Sequence, residues 1–131
     1  MKYALAVYGA AGTGGQSSQT ALSFARALLA SGHEIIRVFF YQDGVHNASG
    51  LISPPQDEQN LPEQWQNLVK EHNIDAVVCI AAALRRGVVN AEEAQRYELP
   101  GSNLREGYEL SGLGQLLEAT VEADRFVTFG D

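Results

Sequence analysis

The stretch AVVCIA, residues 76–81, is apolar at every position and therefore suits a strand that is buried on both faces. Such strands are typical of parallel sheets, because the crossover connections between parallel strands place helices on the faces of the sheet. Three other short runs, Tyr3–Tyr8, Ile35–Tyr41 and Arg125–Phe129, are rich in apolar residues and indicate further strands. Together these strands predict an α/β fold built on a parallel sheet.

Polar residues that cap helices lie in the segments between these strands. The expected caps are Asn60 with Glu63, Asn90 with Glu93, and Ser111, and a first helix is expected from about Ser17 or Ser18. Gly32 is placed to end the first helix, and a further short strand is expected near Tyr108–Leu110. The alternation predicts a single domain over residues 1–131, a three-layer α/β sandwich with a mostly parallel, flavodoxin-like sheet.

The composition is that of an ordinary folded domain with an acidic surface. The chain has 131 residues, of which 45% are hydrophobic, which is enough for one domain with one core. The formal net charge is -7, whereas proteins that bind DNA or RNA directly normally present a basic surface to the phosphates. We therefore expect no direct nucleic-acid binding.

The single cysteine, Cys79, indicates a reducing compartment, because one thiol cannot form a disulfide within the chain. The apolar run at residues 3–8 is short and leads into a glycine-rich stretch, so it indicates a first strand and not a signal peptide. No apolar segment approaches the roughly 20 residues of a membrane span. The chain is therefore expected to be cytoplasmic, with no membrane contact.

Binding sites in parallel α/β sheets gather at the carboxyl ends of the strands. In this chain the rule directs attention to the Gly9–Gln16 loop, the long Gln42–Gln59 loop and the residues that follow Cys79. The Gly9–Gln16 loop lacks the lysine of a phosphate-binding P-loop, and Ser17 stands where a dinucleotide-binding loop has its third glycine. No nucleotide cofactor is expected.

The three histidines, His33, His46 and His72, are scattered along the chain and show no spacing typical of metal ligands. His33 and His72 follow expected helix ends, where a capping or surface role accounts for them. His46 lies in the long second loop and is assigned no catalytic role. The sequence therefore predicts neither a metal nor another cofactor.

Cys79 is the strongest candidate for a reactive side chain, because it lies near the end of the third strand. A free cysteine often only fills a core, and that alternative stays open at this point. Arg85 and Arg86 follow closely, and with a helix start at Asn90 they could stabilise the reactive thiolate or dock acidic partners. A lone thiol suits a persulfide relay, in which each station needs only one cysteine and the next protein's thiol removes the sulfur.

Cys79 and Arg85 also have the five-residue separation of a Cys-dependent phosphatase loop. Such a loop has Ser or Thr after its arginine, but Arg86 occupies that position here. The residues between contain no glycine, and no aspartate that could act as the general acid is identifiable. A Cys-dependent phosphatase is therefore the weaker alternative.

Three segments resemble the DsrE-like family of bacterial sulfur-relay proteins: Phe39–Val45, Cys79 with Ala82–Val88, and Leu110–Gly114. The likeness runs essentially from end to end, and the segment around Cys79 is its most specific part. The resemblance implies a sulfurtransferase in which Cys79 is the nucleophile that carries persulfide sulfur. Sister subunits of the family can lack this cysteine, so a non-catalytic assembly subunit is the main alternative, and the presence of Cys79 argues against it.

The same resemblance implies a set of partners. Proteins of this kind work with TusB-like and TusC-like subunits, usually in a heterohexamer. Sulfur arrives from a TusA-like donor and leaves through a TusE-like acceptor. It ends as the 2-thio group of the wobble uridine in certain tRNAs, and a separate enzyme handles the tRNA.

Overall fold

The computed structural model of the chain describes residues 1–11 and 16–130. Within these residues, strands and helices alternate along the chain, as the sequence predicts. The elements are β1 (Lys2–Val7), α1 (Ser17–Ala30), β2 (Glu34–Phe40), a 3₁₀ helix (Gln42–Ala48), α2 (Leu61–Glu71), β3 (Ala76–Cys79), α3 (Ile80–Arg85), α4 (Ala91–Arg96), β4 (Tyr108–Ser111), α5 (Gly114–Glu122) and β5 (Arg125–Phe129).

The strands of the described residues form one sheet in the order β4-β3-β2-β1-β5, and every neighbouring pair is parallel. This confirms the parallel α/β sheet predicted from the apolar runs. The strand order differs from that of flavodoxin, in which β1 lies next to β3. Here successive strands step in one direction from β1 to β4, and only β5 returns to the other side of β1.

The two faces of the sheet carry different helices. Phe40 of β2 points to one face, where its ring meets Trp65 of α2 edge-on, with 5.3 Å between the ring centroids. Arg37 lies three residues earlier and so points to the opposite face, where its guanidinium bonds to the Gln115 carbonyl oxygen of α5 at 2.9 Å. Helix α1 packs against α2 and so lies on the Phe40 face, whereas α5 covers the opposite face. Helices on both faces of the sheet confirm the three layers.

Arg37 joins α5 to the sheet and to the start of β3. Its side chain is only 12% exposed and pairs with Asp75 at 2.7 Å and with Glu118 of α5 at 3.4 Å. Burial works against the charged guanidinium, but the two carboxylates outweigh it and hold the pKa of Arg37 above its usual value. Helix α5 is therefore fixed to the sheet by a partly buried cation as well as by apolar packing.

Two of the predicted helix caps are confirmed by hydrogen bonds. The side-chain oxygen of Asn60 accepts the Glu63 backbone N–H at 3.2 Å before α2, and that of Asn90 accepts the Glu93 N–H at 2.8 Å before α4. Gly32 follows α1 with a φ of +83°, a left-handed conformation that glycine adopts without strain. These helix ends could be predicted from the sequence because each depends only on residues a few positions away.

Two predicted boundaries are wrong. The third strand ends at Cys79 and not at Ala81, because the alanine- and leucine-rich stretch Ile80–Arg85 forms α3. Ser111 does not cap α5: it is the last residue of β4, where it pairs with Cys79, and Leu113 occupies the cap position. At Ser111 the strand pairing with Cys79 therefore overrides the local capping signal.

The 3₁₀ helix Gln42–Ala48 packs directly against the carboxyl end of β1. Tyr41 donates its backbone N–H to the Val7 carbonyl oxygen at 3.0 Å, and the Gly44 N–H returns to the Tyr41 carbonyl at 2.9 Å. A side chain at Gly44 would overlap that same Val7 carbonyl oxygen. The close approach of these two backbone segments therefore requires glycine at this position.

We predict that Gly44→Ala destabilises the protein by about 2 kcal/mol, because the added methyl group forces the 3₁₀ helix away from β1. The free energy of unfolding measured by urea denaturation checks this. Gly112→Ala is the matched control, since Gly112 has open space where a side chain would lie. Equal stabilities of the two variants would contradict the close approach at Gly44.

Candidate functional site

Cys79 is the last residue of β3 and the N-cap residue of α3, so the chain turns from strand to helix with no loop between them. Its neighbour in the sheet is Ser111, the last residue of β4. Only 3% of Cys79 is exposed. The thiol therefore lies at the carboxyl edge of the sheet, as the sequence predicted, but it is enclosed by the protein.

The local sequence explains this sharp transition from strand to helix. Val77 and Val78 are β-branched and favour the strand, whereas the alanines that follow Ile80 favour the helix. The first backbone N–H groups of a helix lack partners within it and carry partial positive charge. Reactive cysteines are typically found in such surroundings, and Cys79 occupies the cap position itself.

Arg86 clamps the end of α3 to the 3₁₀ helix. Its Nε donates to a carboxylate oxygen of Asp43 at 2.8 Å, and its other nitrogens reach the Ala82 carbonyl at 3.1 Å and the Gln42 side chain at 3.4 Å. The hydrogen bond and charge of Arg86 hold the pKa of Asp43 below its usual value. The guanidinium is thus engaged in contacts between two elements that flank the site.

Arg85 has a different environment. It is the last residue of α3, its side chain is exposed, and no ion pair joins it to any residue that the structure describes. Arg86 lies seven positions after Cys79, a rise of about 10 Å along the helix axis. Among the described residues, neither guanidinium makes a hydrogen bond or ion pair with the Cys79 thiol. The structure therefore brings Arg86 to Asp43 and leaves Arg85 available to a partner.

The backbone around Cys79 does not have the form of a phosphatase loop. Such a loop wraps around one anion, so that its amides and its arginine bind the anion together with the cysteine. Here residues 80–85 form α3, which places Arg85 at the far end of the helix from Cys79. The five-residue spacing that suggested a phosphatase is therefore the spacing of a short helix.

Asn47 is a residue of this region that the sequence analysis missed. Its side chain is fully buried and donates to the carbonyl oxygens of Gly9 and Gly44, both at 2.9 Å. It also accepts the Ser18 hydroxyl at 2.6 Å, and Ser18 in turn accepts the Trp65 indole N–H at 3.0 Å. An asparagine inside a long loop was the only available signal, and that residue type is common in loops for other reasons.

The remaining sequence candidates are not drawn together at Cys79. His46 lies in the 3₁₀ helix, half-buried, and its charge only adds to the lowering of the pKa of Asp43. In the Gly9–Gln16 loop, residues 12–15 lie outside the described residues. Across residues 1–11 and 16–130, no three His, Cys, Asp or Glu side chains are grouped so that they could hold a metal ion.

No helix in residues 1–11 and 16–130 combines the length and the apolar character needed to span a membrane.

Proteins with established families resemble this chain over nearly its full length. The model of the DsrE/DsrF-like family matches residues 1–129. A Pseudomonas aeruginosa protein named sulfurtransferase TusD homolog is 57% identical over 130 residues, covering 99% of this chain and 98% of that protein. The sulfurtransferase TusD of Salmonella enteritidis is 50% identical over 129 residues, covering 98% of this chain and all of its own length.

A solved structure shares the fold. The crystal structure of the ychN protein from Escherichia coli superposes with a TM-score of 0.72, covering 98% of this chain and 100% of that one, at 24% sequence identity. At that identity the likeness bears on the fold alone. The matched family model and the identity over nearly the whole chain confirm the predicted resemblance: the chain belongs to the DsrE/DsrF-like family.

Proposed function

We propose that this chain is a sulfurtransferase that accepts persulfide sulfur on Cys79 and passes it to the thiol of an acceptor protein. The observation that carries the proposal is the place of Cys79, the only cysteine, at the carboxyl edge of the sheet in a chain 57% identical to a sulfurtransferase TusD homolog. The names of the relatives supply the class of reaction. The position of the thiol at the end of a strand, where sites of such folds gather, supplies the residue.

The proposed reaction is a pair of sulfur exchanges. The Cys79 thiolate attacks the outer sulfur of a donor persulfide, a Cys79 sulfur–sulfur bond forms, and the donor's sulfur–sulfur bond breaks to release the donor thiolate. An acceptor thiolate then attacks the outer sulfur now held on Cys79, and the Cys79 thiolate leaves. Each step forms one sulfur–sulfur bond and breaks one, so no external oxidant or reductant is consumed.

The arginines have separate proposed roles. Arg86 acts as a positioning residue, because its contacts with Asp43 and Gln42 tie the end of α3 to the 3₁₀ helix. It would favour the thiolate only indirectly, by keeping the start of α3 in place beside Cys79. Arg85 is exposed and can pair with a carboxylate on a partner, so we assign it to partner docking.

The sulfur relay also implies which proteins this chain assembles with and exchanges sulfur with. We propose assembly with TusB-like and TusC-like subunits in a heterohexamer, a TusA-like donor and a TusE-like acceptor, with the sulfur ending in the 2-thio group of the tRNA wobble uridine. The net charge of -7 supports an exchange with proteins and not with the tRNA itself. A single thiol without a disulfide partner supports a cytoplasmic location.

The enclosure of Cys79 favours a second candidate function, a non-catalytic assembly subunit. A thiol that is 3% exposed cannot be attacked until a partner or a local movement opens the way to its sulfur. Loading with sulfur separates these two functions, because a scaffold would assemble without ever holding sulfur.

We predict that the chain gains one sulfur atom when it is mixed with a persulfidated TusA-like donor, and that Cys79→Ser gains none. Serine is close to cysteine in size, so the fold is retained, and thermal unfolding of both proteins checks this. Intact-mass spectrometry, with reduction of the sample as a control, measures the sulfur. Normal heterohexamer assembly without any sulfur on the wild-type chain would instead favour the scaffold.

The two arginines form a matched pair for a second experiment. Arg86→Met is expected to lower the Tm by a few degrees and to slow sulfur loading from glutathione persulfide, since the clamp between α3 and the 3₁₀ helix is lost. Arg85→Met removes the same charge from an exposed side chain and should leave the Tm and that small-molecule rate unchanged. Equal effects of the two substitutions would contradict a positioning role for Arg86.

The clamp should also depend on pH. Because Arg86 holds the pKa of Asp43 below its ordinary value, the pair stabilises the fold above about pH 4, and this contribution is lost as pH falls through the depressed pKa. We expect Asp43→Asn to be less stable than wild type at neutral pH, with the difference narrowing toward acid pH in urea denaturation. Asp57→Asn, at an exposed aspartate with no ion pair among the described residues, is the control. A difference that does not change with pH would rule out the ionised pair as its source.

A further inference from the structure

Three exposed apolar side chains form a stripe along α5. Leu113, Leu117 and Val121 recur every fourth residue, which places them on one side of the helix, and they are 49%, 67% and 77% exposed. Ala119, on the side that faces the sheet, is 1% exposed. Single exposed apolar residues are common on protein surfaces, but a continuous row on one helix face is typical of an interaction site. We call these three residues the α5 stripe.

The α5 stripe begins close to Cys79. Ser111 pairs with Cys79 across the sheet, where neighbouring strands lie about 4.8 Å apart. Leu113 follows Ser111 by two residues, a span of at most about 7 Å. The Cα atom of Leu113 therefore lies within about 12 Å of that of Cys79, and the stripe runs away from the site along the helix.

Cys79 and α5 also share one face of the sheet. Arg37 bonds to α5, and Phe39 lies two residues later in the same strand and so on the same face. Phe39 pairs with Val77 in the sheet, and Cys79 lies two residues after Val77. Strand alternation therefore directs Cys79 toward the face on which α5 packs, so a protein seated on α5 would lie on the same side of the sheet as the sulfur.

The charges around the stripe specify the kind of partner. Helix α5 carries no Lys or Arg, and of its two glutamates Glu118 pairs with Arg37 whereas Glu122 is exposed. Glu109 is exposed on β4, the strand that precedes the helix in sequence. The nearest exposed cation in sequence, Arg125, lies beyond the end of the helix and bonds back to the Asp124 carbonyl at 3.0 Å. A second copy of this chain would bring acidic borders together, whereas a partner with Lys or Arg around an apolar patch would complement them.

We propose that the α5 stripe is the docking surface for the relay protein that exchanges sulfur with Cys79, and that this protein presents an apolar patch bordered by Lys or Arg. The inference rests on the proposed sulfurtransferase function. Docking along α5 explains how an enclosed thiol can react with one partner and not with others, because the partner that binds there brings its own cysteine to the sheet edge. Because the borders carry charge, binding weakens as salt rises.

Leu117→Asp and Val121→Asp test the docking surface. Both residues are exposed, so stability should change by no more than about 0.5 kcal/mol. Leu51→Asp is the matched control: Leu51 is 76% exposed and lines a separate cleft with Val89 and Leu99. Each variant is prepared with its TusB-like and TusC-like subunits, and sulfur exchange is timed with two kinds of probe, the TusA-like and TusE-like proteins and, separately, glutathione persulfide and glutathione.

We expect the α5 variants to slow exchange with at least one protein probe by about tenfold or more, with the glutathione rates and the Leu51→Asp rates unchanged. Unchanged protein rates would overturn the proposal, as would slowing by Leu51→Asp alone. Loss of the heterohexamer in the α5 variants would also overturn it and assign the stripe to subunit assembly.

Failure of the proposed function gives a different result from failure of the docking surface. If wild type exchanges sulfur with neither glutathione persulfide nor the proteins, Cys79 is not a carrier. The stripe is then tested by binding alone, with Cys79→Ser complexes and purified TusA-like and TusE-like proteins in isothermal titration. Loss of binding in Leu117→Asp supports the surface, and unchanged binding overturns it.

Discussion

The hydrogen bonds of one buried amide, that of Asn47, connect most of the elements around the site. A buried polar group left without partners costs about 1–3 kcal/mol, so every donor and acceptor of this side chain must be satisfied. Its two N–H groups reach Gly9 after β1 and Gly44 in the 3₁₀ helix, and its oxygen accepts from Ser18 of α1. Trp65 of α2 joins the same network through Ser18. Four separate segments are therefore held in one arrangement.

The position of α3 follows from this arrangement. The network fixes the 3₁₀ helix against β1, and the 3₁₀ helix carries Asp43, to which Arg86 is bound. Arg86 in turn fixes the end of α3, and Cys79 caps the start of the same helix. The cysteine is thus placed from two sides, by strand pairing with β4 and by a chain of polar contacts that begins at a buried asparagine.

The enclosure of Cys79 would protect the sulfur that we propose it carries. A persulfide in free solution is open to attack by any small thiol, whereas one on a residue with 3% exposure is shielded until a docked partner or a local movement opens the way to it. The proposed relay needs a binding surface beside the cysteine, and the apolar row on α5 lies on the face toward which strand alternation directs Cys79. Specificity then resides in the docking surface, while the sulfur chemistry needs a single atom.

The sequence by itself determined the alternation of strands and helices, the caps at Asn60 and Asn90, and the strand-end position of Cys79, because these depend on burial patterns and hydrogen bonds within a few residues. It also carried the family resemblance that the comparisons confirmed. The start of α5 was misjudged, since Ser111 is held in a strand by a neighbour distant in sequence. Only the tertiary structure decided the strand order, the partner of Arg86 and the enclosure of Cys79. Each of these is a contact between segments far apart in the chain, and no local pattern specifies which segments meet.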